Sequence, residues 1–323
     1  MLASPPPRTP PGTIGRQGHS PANARFVTEM HGPARMGGNL SLFRHYGKFA
    51  IGHWRSPCRI DKPSAEHSSE AMMRAIILAA LLMSAIPAPV MAEPADVATS
   101  VAAAGARTEA NVKLDEGRKP AEVLTFLGLE RGMRVLDMFG ANQYWAEIMA
   151  PAVGEAGFVT VWQPNQFMSD KRRATFGEFA AKQKNVLLIN SPFEQPSIGT
   201  GQYDFILMNL DYHDVYWEST DRKISRMEPD TWLARLYAAA KPGAVVGIID
   251  HVAASGAETR DVVEKLHRID PAVVKADFLR AGFVLEAESD LLRNSADDHS
   301  LNVFDDKIRG KTDRFLFKFR RPQ

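Results

Sequence analysis

Two groups of acidic and imidazole side chains stand at or directly after apolar segments of this chain. One group spans Asp211 to Asp214, and the other is Asp250-His251. A histidine beside a carboxylate can act as a general base, because the carboxylate fixes the tautomer of the ring and so the nitrogen that takes the proton. The pattern predicts acid–base chemistry at His213, Asp214 and His251. The alternative is that these histidines only form hydrogen bonds that shape their loops.

The same side chains offer the oxygen and nitrogen ligands that suit Mg²⁺, Mn²⁺ or Zn²⁺. The potential ligands are Asp211, His213, Asp214, Asp250, His251 and His267. None of them lies at a recognised short ligand spacing, so the sequence assigns no metal site. A metal-dependent hydrolase is the alternative function that these residues would support.

The chain around these residues alternates between apolar strands and amphipathic helices. Strands are predicted at residues 133–138, 157–162, 186–189, 203–209, 244–250, 283–289 and 314–319. Helices are predicted at residues 96–111, from 119 onward, and at 144–153, 170–182, 228–240, 258–268 and 271–281. This alternation is typical of a mostly parallel, doubly wound sheet with helices on both faces. No long helix separates the last two strands, so we expect an α/β fold of seven strands with an antiparallel C-terminal strand pair.

The edge at which the parallel strands end is the expected ligand site, because open α/β sheets bind ligands outside the carboxyl ends of their strands. Residues 211–214 and 250–251 both fall there. At the same edge, Val135-Leu136-Asp137 ends the first predicted strand and leads through a tight loop into a helix. Such a unit opens the nucleotide-binding half of many α/β proteins. Asp137 is therefore predicted to belong to the site, with a helix-capping role as the alternative.

Several motifs, taken in their order along the chain, resemble class I S-adenosylmethionine-dependent methyltransferases. They are Tyr203-Asp204-Phe205-Ile206, Ala240-Lys241-Pro242-Gly243 and the terminal strand pair. More closely, the chain resembles a bacterial family of predicted methyltransferases that are often made with signal peptides. This resemblance covers nearly all of residues 105–322, and the matching stretches are Asp115 to Pro120, Val135 to Tyr144, Tyr212 to Asp214, Asp250-His251, Leu266 to Asp270 and Thr312 to Phe315.

The resemblance implies a Rossmann-like fold, S-adenosylmethionine as the cofactor, and methyl transfer to an oxygen or nitrogen atom of a small molecule. It places the cofactor on Asp137, Phe139, Gly140, Asn142, Tyr144, Gln163 and Asn209.

The chain departs from the family pattern in two places. Residues 139–143 read Phe-Gly-Ala-Asn-Gln where Gly-x-Gly-x-Gly is usual, and glycines in such a loop permit positive φ. Gln163 stands near the position where an acidic residue is expected to hold the ribose hydroxyls. These departures keep open a second function, a periplasmic small-molecule-binding protein without catalysis.

Further side chains have two interpretations each. Tyr212, Tyr216 and Trp217 either stack on a flat ligand or pack in the interior. Arg268, at the end of a predicted helix, suits the negative end of the helix dipole and could also pair with an anionic substrate. The polar segment 290–313 is expected to be a solvated loop, with a lid over the site as the alternative.

Composition limits the partners. The 323 residues carry a formal net charge of +1, whereas nucleic-acid binding usually needs a concentrated basic surface. We therefore expect a small-molecule substrate and no nucleic acid. The single cysteine is Cys58, so the domain after residue 92 has no disulfide and no thiolate chemistry.

The N-terminal region is typical of a secretory signal preceded by unrelated sequence. Met72-Met73-Arg74 is followed by the apolar run 75–90 and by small residues that end at Ala92, as in a signal peptide. We expect translation to start at Met72 or Met73, so that residues 1–71 belong to an overlong gene model. Cleavage after Ala92 would release residues 93–323 to the periplasm without a membrane span. A transmembrane helix, which two prolines in the run disfavour, and a cytoplasmic chain with an apolar linker are the alternatives.

Overall fold

The structure is a computed structural model that describes residues 93–323. The predicted leader at residues 1–71 and the predicted signal peptide at residues 72–92 lie outside the described residues. Within the described part of the chain, no helix is both long enough and apolar enough to cross a membrane.

The described elements are numbered here in chain order. The helices are α1 (Val97–Ala102), α2 (Glu109–Val112), α3 (Asp115–Arg118), α4 (Pro120–Leu127), α5 (Ala146–Val153), α6 (Asp170–Lys182), α7 (Pro229–Ala239), α8 (Thr259–Leu266) and α9 (Pro271–Arg280). The strands are β1 (Arg134–Met138), β2 (Phe158–Pro164), β3 (Val186–Ser191), β4 (Tyr203–Asn209), β5 (Ala240–His251), β6 (Val284–Ser289) and β7 (Arg314–Arg320). Short 3₁₀ turns lie at Ala104–Ala106, Asn165–Phe167 and Tyr212–Tyr216.

The strands form one sheet in the order β3-β2-β1-β4-β5-β7-β6. Strands β1 to β5 run parallel, and β7 is antiparallel to both β5 and β6. The predicted fold class, a Rossmann-like doubly wound sheet with an antiparallel C-terminal pair, is confirmed. The strand order reverses between β1 and β4, so the carboxyl ends of these two strands flank the crevice in which such sheets bind ligands.

Both faces of the sheet are covered, because neighbouring residues of a strand point to opposite sides. In β4, Ile206 belongs to a core that includes Trp232 of α7 and Phe278 of α9. The adjacent residue Phe205 belongs to the opposite core, with Leu124 of α4. Burial on both faces requires nearly continuous apolar runs, which made the strands recognisable in the sequence.

The helix predicted at residues 96–111 is interrupted rather than continuous. The segment contains α1, a 3₁₀ turn and α2, with Thr108 extended immediately before α2. The backbone N–H and the hydroxyl of Thr108 both donate to the carboxylate of Glu147 in α5. This contact between distant parts of the chain overrides the helical propensity of an Ala-rich segment.

Residues 290–313 form a loop, as predicted, in which exposed residues alternate with a few buried anchors. Arg268 is fully buried and donates to both carboxylate oxygens of Asp297, at 2.9 and 3.0 Å. Arg268 follows α8 but reaches this segment instead of capping the helix. Asp313 accepts hydrogen bonds from Arg293 at 2.8 and 3.0 Å. The buried carboxylates of Asp297 and Asp313 thus anchor the segment, and several of its residues line a cavity at the carboxyl edge of the sheet.

We expect Arg268→Ala to lower the free energy of unfolding by about 3–5 kcal/mol, because Asp297 would be left buried without its partner. Lys265→Ala removes an exposed ion pair with Asp261 nearby in the chain and should cost less than ~1 kcal/mol. Urea unfolding of the two variants measures both values. Equal costs for the two changes would contradict the structural role of Arg268.

Candidate active site

The loop after β1 has left-handed backbone at two positions that are not glycine. A Gly-x-Gly-x-Gly pattern counted from Asp137 would put glycine at positions 139, 141 and 143. Phe139 and Gln143 adopt φ angles of 55° and 68°, a left-handed conformation that costs a residue with a side chain roughly 1–2 kcal/mol. Backbone strain of this kind concentrates at functional sites. Gly140 lies outside the left-handed region, so positive φ is not the reason for its glycine.

Position 140 must be glycine, because a side chain there would overlap the carboxyl group of Asp137. A Cβ atom at position 140 would lie 2.1 Å from Oδ2 of Asp137 and 2.4 Å from its Cγ. Asp137 is fully buried at the end of β1, so its carboxylate has no space into which to retreat. The missing side chain at residue 140 provides the room that this carboxylate occupies.

Asp137 is buried without a hydrogen-bond partner. Within residues 93–323, neither of its carboxylate oxygens accepts a hydrogen bond. Burial raises the pKa of Asp137 to about 8, although the positive charge of Arg118 acts in the opposite direction. A buried, unpaired carboxyl group at a ligand-binding edge is a candidate for binding a cation or a hydrogen-bond donor.

Arg118 supplies a positive charge to the same region. Its guanidinium lies over the ring of Tyr144, 4.2 Å from the centroid, and its Nη1 is buried with no partner among the described residues. Tyr144 is fully buried and donates its hydroxyl hydrogen to Asp115, which also forms an ion pair with Arg107. Tyr144, a predicted cofactor contact, thus lies in a buried network that positions Arg118.

Gln163, near the end of β2, supports the loop from the other side. Its Oε1 accepts a hydrogen bond from the backbone N–H of Ala141 at 3.1 Å, which leaves its amide NH₂ to donate elsewhere. Gln163 and Asn142 line a cavity of about 170 Å³, together with Phe139, Phe167, Arg172 and Asp214. Amide donors beside aromatic rings suit a ligand that carries both hydroxyl groups and a flat ring.

Asn209 and Asp211 stand at the end of β4, on the other side of the crevice. The backbone N–H of Asn209 donates to Oδ2 of Asp211 at 3.3 Å. Burial raises the pKa of Asp211 well above its ordinary value, and the carboxylates of Asp250 and Asp214 raise it further. Asp137 contributes in the same direction, which places the two carboxyl groups in one electrostatic environment.

Asp250, at the end of β5, orients His213. Its Oδ1 lies 2.8 Å from Nδ1 of His213, and its Oδ2 accepts the backbone N–H of the same residue at 2.8 Å. Burial opposes a charge on His213, but the carboxylates of Asp250 and Asp214 outweigh it and raise the pKa of His213 to about 9. The contact with Asp250 leaves Nε2 of His213 facing Oδ1 of Asp214 at 3.4 Å.

His251 has a different environment and is held neutral. Its Nδ1 lies 2.7 Å from the hydroxyl oxygen of Thr312. Burial lowers the pKa of His251 to about 3, although Asp250 acts in the opposite direction. A neutral imidazole with one nitrogen engaged by a hydroxyl can accept a proton at the other.

Three cavities adjoin along this edge of the sheet. The 170 Å³ cavity shares Phe167 and Asp214 with a cavity of about 520 Å³, which shares Leu210 and His251 with one of about 700 Å³. The largest cavity is lined by one acidic residue, Glu116, and by the cationic side chains of Lys113, Arg118, Lys119, Arg293, Arg309, Lys311 and Arg314. Its lining therefore favours a ligand with negative charge.

The structure brings the predicted catalytic residues together. His213, Asp214 and His251 all line the 520 Å³ cavity, with Trp217 in the same wall. Tyr212 and Tyr216, considered as stacking groups, instead donate their hydroxyls to Asp277 at 2.7 and 2.6 Å.

Sequence reasoning misses Arg118 as a functional residue. Arg118 lies within the stretch Asp115 to Pro120, which carries the family resemblance but contains no recognised chemical motif. Only the fold shows that its charge falls beside Asp137.

No protein-family model matches the chain, and no curated protein matches it in sequence. Solved structures do resemble it. A SAM-dependent methyltransferase from Aquifex aeolicus is 20% identical with a TM-score of 0.45, over 66% of this chain and 97% of the other. An S-adenosylmethionine-dependent methyltransferase from Mesorhizobium loti is 14% identical with a TM-score of 0.45, over 64% and 100%. The 1,6-didemethyltoxoflavin-N1-methyltransferase of Burkholderia thailandensis, solved with its substrate and S-adenosylhomocysteine, is 15% identical with a TM-score of 0.39, over 82% and 94%.

We expect Asp137→Asn to stabilise the ligand-free protein, and more so at pH 8 than at pH 5. The folded-state pKa of Asp137 is raised, so the folded protein keeps a proton that the unfolded chain has lost. Its contribution to stability therefore falls as the pH rises from about 4 to about 8. Asparagine does not titrate, and the gain in unfolding free energy at pH 8 should reach roughly 2–5 kcal/mol.

Urea unfolding at the two pH values measures the gain, and Asp170→Asn, an exposed change in α6, is the control. A gain that does not depend on pH would show that Asp137 is not the buried titrating group.

Proposed function

We propose that this chain binds S-adenosylmethionine at the crevice between β1 and β4 and transfers its methyl group to an oxygen or nitrogen atom of a small molecule. The observation that carries the proposal is that, within residues 93–323, neither the Asp137 carboxyl group nor Nη1 of Arg118 has a hydrogen-bond partner, while the charge of Arg118 acts on Asp137. Buried polar groups are normally hydrogen-bonded, so a carboxyl group and a guanidinium left without partners at a ligand-binding edge indicate a ligand that pairs with both. A cationic group bound at Asp137 would favour its ionised form and so lower its raised pKa.

The amino-acid part of the cofactor can pair with both groups. Its ammonium group suits the two free carboxylate oxygens of Asp137, and its carboxylate suits the guanidinium of Arg118. Hydrogen bonds between charged partners are about twice as strong as neutral ones. An ammonium ion at Asp137 would also remove the cost of burying that carboxylate alone.

The adenosine part suits the 170 Å³ cavity and its surroundings. Gln163 and Asn142 supply amide groups for ribose hydroxyls, and Phe167 supplies an aromatic face. Gln163 takes the place of the acidic residue that the family uses. Because its oxygen is bonded to Ala141, it would bind a hydroxyl through its NH₂.

Bound S-adenosylmethionine would supply a methyl group on a sulfonium centre, which an oxygen or nitrogen nucleophile can accept. The protein's task is then to align the acceptor and to receive its proton. His251 lines both larger cavities and is neutral, so it is the side chain we assign to proton transfer. The carboxylate of Asp250 opposes the burial that disfavours the protonated form of His251. His213 and Asp214 are assigned to positioning the acceptor in the same cavity.

The cationic lining of the 700 Å³ cavity supports an anionic acceptor. Arg314 contributes a buried Nε that has no partner within residues 93–323. Small carboxylic acids and phosphate esters are therefore the acceptors to screen first.

Isothermal titration should show micromolar binding of S-adenosylmethionine and S-adenosylhomocysteine. We expect Asp137→Asn and Arg118→Met each to weaken binding by about 10–100-fold, because each removes a charge-assisted hydrogen bond worth about 1.5–3 kcal/mol. Arg131→Met is the matched control, because Arg131 forms an exposed ion pair with Glu93 at the opposite edge of the sheet. No binding at millimolar ligand would refute the proposal.

We also propose export of the domain, which rests on the sequence of residues 72–92 alone. N-terminal sequencing of the mature protein from a periplasmic fraction should read from Glu93. A chain that is recovered from the cytoplasm with residues 72–92 intact would contradict export.

A further inference from the structure

His213, Asp214 and His267 converge although 53 residues of chain separate Asp214 from His267. The Nε2 atom of His213 lies 3.4 Å from Oδ1 of Asp214, and Nδ1 of His267 lies 3.8 Å from the same oxygen. One ligand atom from each of the three side chains lies within 4.8 Å of the other two. Both imidazoles thus direct a ring nitrogen at one carboxylate.

These separations match those of atoms that share a metal ion. Zinc binds imidazole nitrogen and carboxylate oxygen at about 2.0–2.2 Å in tetrahedral geometry, which places neighbouring ligand atoms roughly 3.4 Å apart. The His213–Asp214 distance equals this value, and the His267–Asp214 distance is 0.4 Å longer. The three ligand atoms lie within 4.8 Å of one another, so binding an ion would draw them closer together.

The surroundings hold each ligand in the required orientation. Asp250 accepts a hydrogen bond from Nδ1 of His213 at 2.8 Å, as carboxylates do behind metal-bound histidines. The His267 ring packs between Trp217 and Phe304, with centroids 5.2 and 5.1 Å away. His267 also has a φ of 52° at the end of α8, and this turn aims its ring back toward residues 213 and 214.

We infer that His213, Asp214 and His267 form a binding site for a first-row divalent transition metal. Two imidazoles and one carboxylate suit Zn²⁺, Fe²⁺ or Co²⁺ better than Mg²⁺ or Ca²⁺, which prefer oxygen ligands. All three residues line the 520 Å³ cavity, so positions on the ion would stay open to a substrate. Three protein ligands with an open position are typical of catalytic rather than structural zinc sites.

At this site His213 and Asp214 would act as metal ligands that position the acceptor within the 520 Å³ cavity. A metal ion there would bind an oxygen or nitrogen atom of the acceptor and polarise it. His213 would then be a ligand and not a base, which leaves proton transfer to His251. The metal site itself does not depend on the proposed cofactor, because none of its three residues takes part in binding the amino-acid part.

The test is titration of Co²⁺ into the full chain after chelator dialysis, followed by visible absorption. We expect one site with an absorption band typical of four- or five-coordinate Co²⁺. Asp214→Asn and His267→Asn should weaken binding by at least about 100-fold, and Asp250→Asn by about 10–100-fold through loss of orientation. Thermal melting of the metal-free variants checks that each is folded.

His299→Asn is the matched control. His299 also has a positive φ, at 65°, and contacts a carboxylate, Asp313, at 3.0 Å, but it lies outside the cluster. Its Co²⁺ affinity should stay within about twofold of the wild type. The histidines before residue 93 are unchanged in every variant that is titrated, so differences between variants report on this site.

No Co²⁺ binding below millimolar concentration in the folded wild type, or wild-type affinity in Asp214→Asn and His267→Asn, would overturn the proposal. If these variants do not fold, X-ray absorption of the Co²⁺ protein with all three ligands intact decides. For this measurement the five histidines before residue 93 are replaced by asparagine. Two imidazoles in the metal shell then support the site, and an all-oxygen shell refutes it. Titration of the same metal-free wild type with S-adenosylhomocysteine tests the proposed function separately, since either result can occur without the other.

Discussion

The carboxyl edge of this sheet depends on how three buried carboxyl groups are compensated. Asp137, Asp211 and Asp250 stand at or just beyond the ends of β1, β4 and β5, where burial removes the water that would stabilise their charge. Asp250 is fully compensated, because two backbone N–H groups and the His213 ring surround it. Asp137 has no such partners among residues 93–323. Asp250 thus orients His213, whereas the Asp137 carboxyl group is the one of the two that remains available to a ligand.

The loop after β1 shows that residues other than glycine can be held in a left-handed backbone conformation. Phe139 and Gln143 keep positive φ without being glycine, so packing must hold them there. Phe139 does so by contacting Trp162 and Phe193 edge-on at 5.3 and 5.0 Å. The strain is therefore offset within an aromatic cluster instead of being avoided by glycine. The one retained glycine, Gly140, serves to admit the Asp137 carboxylate.

Most of the fold could be predicted from sequence, because strands buried on both faces need apolar runs that are hard to miss. The bounds of β4 and α6 agree with the prediction at both ends. The interruption of the helix predicted at residues 96–111 could not be predicted, since Thr108 is held extended by Glu147 in a distant helix. The same limit applies to function. Arg118 was missed because its charge acts on Asp137 only in the folded chain. His267 is turned toward the cavity by a left-handed backbone conformation. Neither feature can be recognised from the neighbouring residues in the sequence.

The two proposed sites are close enough to serve one reaction. Asp214 lines both the 170 Å³ cavity assigned to adenosine and the 520 Å³ cavity that contains the histidines. His251 in turn joins that cavity to the cationic one. A methyl donor anchored at Asp137 and an acceptor held at His213, Asp214 and His267 would therefore occupy adjoining spaces along one crevice. In-line transfer requires donor and acceptor to meet at such a boundary, and here Asp214 lies at that boundary.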